Sequence, residues 1–418
     1  MKILSRAGVE HPDTAPWDAA ERKGIGHPDT LADLCADAFS AAYARRGLAA
    51  FGHIPNHWVD KVTLAGAASR VRLGGYEVIE PVQCHLFGKV TSSVGDDPID
   101  VAGLFEWSVT DVLTRALGGS EIVPHLRFHI TNTSGSAADH APTFYEPRCA
   151  SDLAQVLAED SVCNDTVICT GTSAMGAAGR IAVELERFLT GPELTAVVPG
   201  AGTDVKVMVT RVGDHLDVTA AVPMHPWAVR DWKVYADLIA VVGNLSRVQL
   251  KRLVDQYRPG GSFTLNLNTK DRPGRGYLAP FGSSLGKGDI GAVGRGNRHS
   301  GVIEPLRPSS CEAPAGKNPV HHAGKIYTVL ARRAAEQIAA EVGAYATVVI
   351  CARNGHPVTH PAYVLVEIAG PLPGGLLDRA EKVAEQVMAT APLLAQEFAH
   401  ADPMESFQHQ DDVAGGQR

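Results

Sequence analysis

Two stretches carry side chains suited to an anionic ligand. Residues 286–298 read GKGDIGAVGRGNR. Gly286, Gly288 and Gly291 spell G-x-G-x-x-G, which serves a dinucleotide only after a strand and before a helix. The preceding RGYLAPFGSSL is a poor strand broken by Pro and Gly, and NRHSGVIEPLRP afterwards gives no helix. A Walker loop fails too, because Lys287 and Lys317 are followed by Gly288 and Asn318, not Ser or Thr. What remains is a glycine loop carrying Asp289, Arg295, Asn297 and Arg298, then AGKNPVHHAGK with Lys317 and Lys325. Glycine lets a backbone approach a ligand and turn its N–H groups inward, and Arg and Lys suit phosphate. A polyphosphate cradle and an ordinary surface loop both fit. The length of the non-periodic segment favours the cradle.

The second stretch, ERKGIGHPDT (21–30), sets His27 and Asp29 just before a helix start. Unpaired N–H groups and the helix dipole favour an anion there. A carboxylate at a phosphate site holds Mg²⁺, since otherwise it repels the ligand. His27 could then serve a leaving oxygen as acid or hydrogen-bond donor. The same four residues also make an ordinary turn and cap.

The elements that must position these groups follow from periodicity. Residues 30–47 predict an amphipathic helix with a Thr30–Asp33 capping box. Strands are expected over 58–91 and 125–131, and helices over 100–117 and 174–190, the latter with Glu184 and Glu186 on its wet side. DVKVMVTRVGDHLDVTAAVPM (204–224) is a hairpin signal around Gly213-Asp214. A long helix over 231–257 and a strand over 262–268 follow. Then come an irregular stretch to 324, a helix over 325–343, two strands turned at Asn354-Gly355, and a helix over 376–399. Hairpins alternating with long helices indicate α+β.

Bulk composition narrows the class. The 418 residues carry net charge −8 and are 45% hydrophobic, which argues against general nucleic-acid or membrane binding. No apolar run approaches a membrane span, and the first residues lack a signal-peptide core. Seven scattered cysteines without C-x-x-C suggest reduced thiols in a cytoplasmic protein. Between 287 and 325, Lys287, Arg295, Arg298, Arg307, Lys317 and Lys325 outnumber Asp289, Glu304 and Glu312, making a cationic island.

Taken together, ERKGIGHPD, GAVGRGNRHSGVIEPLRP and AGKNPVHHAGKIY closely resemble the archaeal-type S-adenosylmethionine synthetases, with CNDT, ELERFL and GTDVKVM in the expected order between them. The resemblance spans roughly 20–400. It implies three pseudo-repeated α+β units whose sheets pack face to face in a homodimer, or a dimer of dimers, with sites at the interface. The chain would divide into an extension (1–20), the body (21–402) and a polar tail (403–418). It also implies the substrates ATP and L-methionine, Mg²⁺, and K⁺ as a further candidate activator. Sulfur would attack C5′, the whole triphosphate would leave, and it would then be cleaved to phosphate and pyrophosphate.

Carried over by position, His27 would meet the C5′ oxygen and triphosphate, and Asp29 would bind Mg²⁺. Arg295, Lys317 and Arg298 would hold the triphosphate. Asp289 would contact adenosine or methionine, and Asp165 the amino-acid ammonium. Asp60 matches a further acidic position. Lys325 is either a phosphate contact or a helix lysine. Gly135 and Ser136 are ATP candidates, although the family's Gly-Gln-Gly-Ser is here Thr133-Ser134-Gly135-Ser136. Gly288-Asp289-Ile290-Gly291 also lacks one carboxylate of the family's Gly-Asp-Asp-Gly. These departures leave two alternatives beside methionine adenosylation: another thioether amino acid as substrate, or a non-catalytic nucleotide-binding homologue.

Overall fold

The hairpin expected over 204–224 forms as β11 (Lys206–Val212) and β12 (His215–Ala221), joined at Gly213-Asp214. It shows how each third of the fold is assembled. A computed structural model describes residues 1–134, 142–153, 162–310 and 312–409. In the middle unit, β12 leads through α4 (Trp232–Tyr257) to β13 (Ser262–Leu267), which returns parallel to β12. A strand from elsewhere in the chain, β2 (Trp17–Lys23), pairs antiparallel with β11.

The first unit repeats this plan. β3 (His57–Ala65) and β6 (Val82–Val90) are antiparallel, α2 (Val101–Leu117) follows, and β9 (Leu126–Asn132) returns parallel to β6. Here the added strand is β14 (Ile290–Ala292), antiparallel to β3. Small ribbons, β4 (Ala68–Arg72) with β5 (Gly75–Glu80) and β7 (Ser93–Val94) with β8 (Asp97–Pro98), decorate it. The third unit has β15 (Ala346–Cys351) antiparallel to β16 (Tyr363–Ala369), with β10 (Ile168–Thr172) added to β15. Its parallel closing strand is β1 (Lys2–Val9). Residues 1–20 are therefore no appendage. They carry one sheet's edge strand and the start of another sheet's strand. Their sequence signal is faint because β1 alternates only between exposed and half-buried positions.

Two long helices cover one face of each sheet. α1 (Pro28–Phe51) and α2 pack on the first sheet, α3 (Ala177–Thr190) and α4 on the second, and α5 (Ala323–Val342) and α6 (Leu376–Met388) on the third. Each unit has its own apolar core. No helix among the described residues is long and apolar enough to cross a membrane.

Four expectations need correction. α1 begins at Pro28 with His27 as its cap, so Thr30 and Asp33 lie inside the helix. Proline suits the first helical position, since its missing N–H is unneeded there. The helix expected over 376–399 breaks before α7 (Leu394–His400), where Pro392 removes a ladder donor. Glu186 does not face water: it is 1% exposed and bonds Arg22. Within the supposed polar tail, the described residues form α8 (Pro403–His409), which buries Met404 and Phe407.

Candidate active site

The site starts where β2 ends. Gly24 and Gly26 pass so close to Thr203 that a Cβ on Gly26 would lie 2.2 Å from its hydroxyl. The chain then turns into α1. The His27 Nδ1 accepts the Asp29 N–H at 3.2 Å, so the proton of the neutral ring sits on Nε2, which is left as a donor. Burial holds the His27 pKa below the usual range; Asp204 pulls it up, Lys23 pushes it down, and Asp29 and Lys206 act more weakly. Asp204 is fixed by the Ser284 N–H at 2.7 Å and by Tyr277 at 3.3 Å. Asp29 accepts from Lys23 Nζ at 2.9 Å and from the Ala292 N–H at 3.1 Å.

α1 presents a row of carboxylates at four-residue intervals, the spacing that places side chains on one face. Asp33 accepts the Gly294 and Gly296 N–H groups at 2.8 and 3.1 Å. Asp37 accepts the Gly316 N–H at 2.9 Å and Lys325 Nζ at 2.7 Å. The glycine loop is thus stitched to α1 by its own N–H groups. This corrects the cradle expectation: at 292, 294 and 296 the backbone donors turn onto carboxylates, while the Arg295 and Arg298 side chains are exposed. The G-x-G-x-x-G glycines also find their reason. Gly288 has φ +96°, and a Cβ on Gly291 would sit 1.9 Å from the Pro28 carbonyl oxygen. A Gly291→Ala variant is expected to lose about 1–3 kcal/mol of stability, read as a lower thermal midpoint, with a fall in activity because the clash lies beside His27.

Asp33 makes a second prediction. Its pKa is pushed up to about 7, first by burial, against the Gly294 N–H, with Asp37 and Asp29 adding to the rise. An acid whose folded pKa is raised takes up a proton on folding. Its contribution is full below its ordinary value of 3.8 and is lost as pH climbs to about 7. Across that window, Asp33→Asn should flatten the decline of the thermal midpoint relative to wild type, as calorimetry at several pH values would measure.

A second cluster lies further along α1. The Lys317 ammonium, 2% exposed, donates to the Asp60 carbonyl at 2.7 Å and carboxylate at 3.0 Å. Burial lowers the Lys317 pKa, with Asp60 opposing. Glu312 is raised by burial, with Lys317 opposing and Asp165 adding, so Asp165 belongs to this neighbourhood. The Lys317 carbonyl is 3.4 Å from Ser40 Oγ. Asp29 to Ser40 is eleven residues of α1, about 17 Å at 1.5 Å per residue. Within one chain, then, His27, Asp29 and Arg295 gather at one end of α1, and Lys317, Asp60 and Asp165 toward the other. Asp289 is exposed near Lys287 and Tyr277. The Lys325 ammonium is buried against Asp37 and over the Phe398 ring. Gly135 and Ser136 lie outside the described residues.

Sequence reasoning missed Lys23, Lys206, Asp204, Asp33 and Asp37. The first three stood in motifs already singled out. The last two were signalled by Asp at four-residue steps on an alanine-rich helix. For a divalent metal, no group of three His, Cys, Asp or Glu occurs among the described residues. Mg²⁺ on a nucleotide needs only one or two carboxylates beside phosphates and water. Asp29 fits, since it already holds a cation, the Lys23 ammonium.

The family model for S-adenosylmethionine synthetase (AdoMet synthetase) matches residues 4–401. The S-adenosylmethionine synthase of Aeropyrum pernix is 36% identical over 359 residues, 84% of this chain and 85% of its own. That of Caldivirga maquilingensis is 33% identical over 413 residues, 95% and 97% of the two chains. A solved structure of an unusual S-adenosylmethionine synthetase from Campylobacter jejuni aligns over 96% of this chain and 100% of its own, with TM-score 0.55 and 14% identity, which supports the fold. The chain belongs to the S-adenosylmethionine synthetase family.

Proposed function

We propose that the chain forms S-adenosylmethionine from ATP and L-methionine and releases phosphate and pyrophosphate. The observation that carries the reading is His27 at the α1 start, its Nδ1 used and its Nε2–H free to donate, with Lys23, Lys206 and Asp29 around it. Thioether sulfur needs no base to attack C5′, so the protein's task is to align the reactants and to stabilise charge on the departing oxygen. The His27 Nε2–H would donate to that oxygen. Arg295, Arg298 and Lys317 would hold the triphosphate. Asp165 would take the methionine ammonium, and Asp289 the adenosine or methionine. Mg²⁺, held by Asp29, would neutralise the phosphates.

Two copies would complete the site, bringing the His27 end of one α1 region to the Lys317 end of another. Supporting this, the sheet faces turned away from the helices display Trp17, Met208, Val212, Ile168 and Tyr363, each more than 40% exposed. Sedimentation should therefore give twice the 44.2 kDa chain mass. The alternatives, another thioether amino acid or a non-catalytic binder, gain no support from the relatives. Mass spectrometry of the product from ATP, Mg²⁺ and a panel of thioether amino acids tests the reading. S-adenosylmethionine from methionine supports it; no product from any of them refutes it.

A further inference from the structure

Arg22 is 0% exposed, and the mechanism above gives it no task. Its Nε donates to Glu186 at 3.1 Å, its Nη1 to the Gly301 carbonyl and its Nη2 to the Phe407 carbonyl at 3.5 Å. The Phe407 ring lies 4.1 Å from the guanidinium carbon. One side chain therefore joins β2, α3, the loop after Arg298 and the C-terminal helix α8.

The same stretch of β2 holds that loop from both sides of Arg22. The Lys23 N–H donates to Asn297 Oδ1 at 3.0 Å, and Asn297 Nδ2 returns a bond to the Lys23 carbonyl at 2.8 Å. Glu21 and Ile303 exchange both backbone bonds at 2.8 Å. The Gly301 N–H closes back on the Arg298 carbonyl at 2.8 Å. Arg22 to Gly301 is the side-chain tie between those two backbone ties. α8 in turn is anchored at both ends. Arg115 forks onto Asp402, with Nη2 to Oδ2 at 2.6 Å, and Asp402 accepts the Met404 N–H at 2.9 Å. Arg187 bonds the Gln408 carbonyl.

We infer that α8 is a positioning clamp: Phe407, seated on Arg22, fixes the 297–303 segment against β2 and so sets where Arg295 and Arg298 present their guanidinium groups. A buried guanidinium needs all its donors placed. This inference rests on the proposal that the Arg295–Arg298 arm grips the ATP triphosphate.

The test is steady-state kinetics on the full-length enzyme, with Phe407→Ala, Phe407→Leu and Phe407→Tyr compared with Arg298→Ala. Phe407→Ala should raise the ATP KM about five- to tenfold, leave the methionine KM within twofold, and speed amide exchange over 297–303. Phe407→Tyr keeps the ring and should restore the ATP KM. Phe407→Leu keeps apolar bulk without the ring, so it should fold even where alanine does not, and should still raise the ATP KM. If folded Phe407→Ala or Phe407→Leu leaves the ATP KM within twofold while Arg298→Ala raises it, the clamp is wrong and the arm assignment stands. A lower thermal midpoint with unchanged kinetics overturns the clamp in the same way. If Arg298→Ala also leaves the ATP KM unchanged, both ideas fall.

Discussion

Replacing His27 with alanine is expected to cut the rate of S-adenosylmethionine formation by about 10²–10⁴, the range for a positioned proton donor, while ATP affinity changes little. The reason is specific to where the ring sits. His27 caps α1 and spends Nδ1 on the Asp29 N–H, so Nε2 is the nitrogen left to donate. Burial keeps the ring below the usual histidine range, with Asp204 opposing, which disfavours a fixed cation binding the ground-state phosphates. Losing such a group removes stabilisation that develops only as the C5′ oxygen takes charge, so kcat falls more than binding does. Product formation by coupled assay and ATP binding by calorimetry separate the two. A variant within tenfold of wild type would remove His27 from the chemistry. Asn at this position keeps a capping oxygen, so His27→Asn controls for loss of the helix start.

Lys317→Met carries the second large effect, a loss of about 10²–10³ in kcat, the scale for one preorganised electrostatic group. The Lys317 ammonium is 2% exposed and is aimed by two bonds to Asp60. Methionine keeps the stem's bulk, so the change deletes charge without opening a cavity. It also leaves Asp60 with Lys61 as its ion-pair partner at 3.0 Å, which limits collateral damage. Because the Lys317 carbonyl meets α1 at Ser40, about 17 Å along the helix from Asp29, a large effect of Lys317 would also speak for a site built from two copies. Mixing His27→Ala with Lys317→Met subunits should recover part of the activity, since one of the two shared sites would be intact. No recovery would argue that each site uses one chain alone.

Much of this was legible because apolar spacing reports which side of an element is inside. The 204–224 hairpin and the helices near 101–117, 232–257 and 323–342 follow directly from it. The His27–Asp29 motif and the cationic arm were legible as residue types. Their relation was not. Glycine licenses a close approach but does not say toward what, so the N–H groups of 292, 294 and 296 looked ready for phosphate and instead meet Asp29 and Asp33. Glu186 looked solvated because its partner, Arg22, is 164 residues away. Lys325 reads equally well as ligand or scaffold, and the partner that buries it, Asp37, is 288 residues away. Met404 and Phe407 are two apolar residues in a seven-residue helix, too short a pattern to separate from a loose end.

The pairing of β1 with β16 has a consequence for synthesis. Lys2 finds Tyr363, and Ala7 finds Ile368. At about 5–20 residues per second, the ribosome needs on the order of 20–70 s between making the first strand and making its mate. Throughout that interval the early strand has an unsatisfied hydrogen-bonding edge, the kind that recruits wrong partners. The last third of the molecule cannot finish its sheet until nearly all of the chain has emerged. A bulky fusion ahead of Lys2 would therefore burden the region most distant from it in sequence.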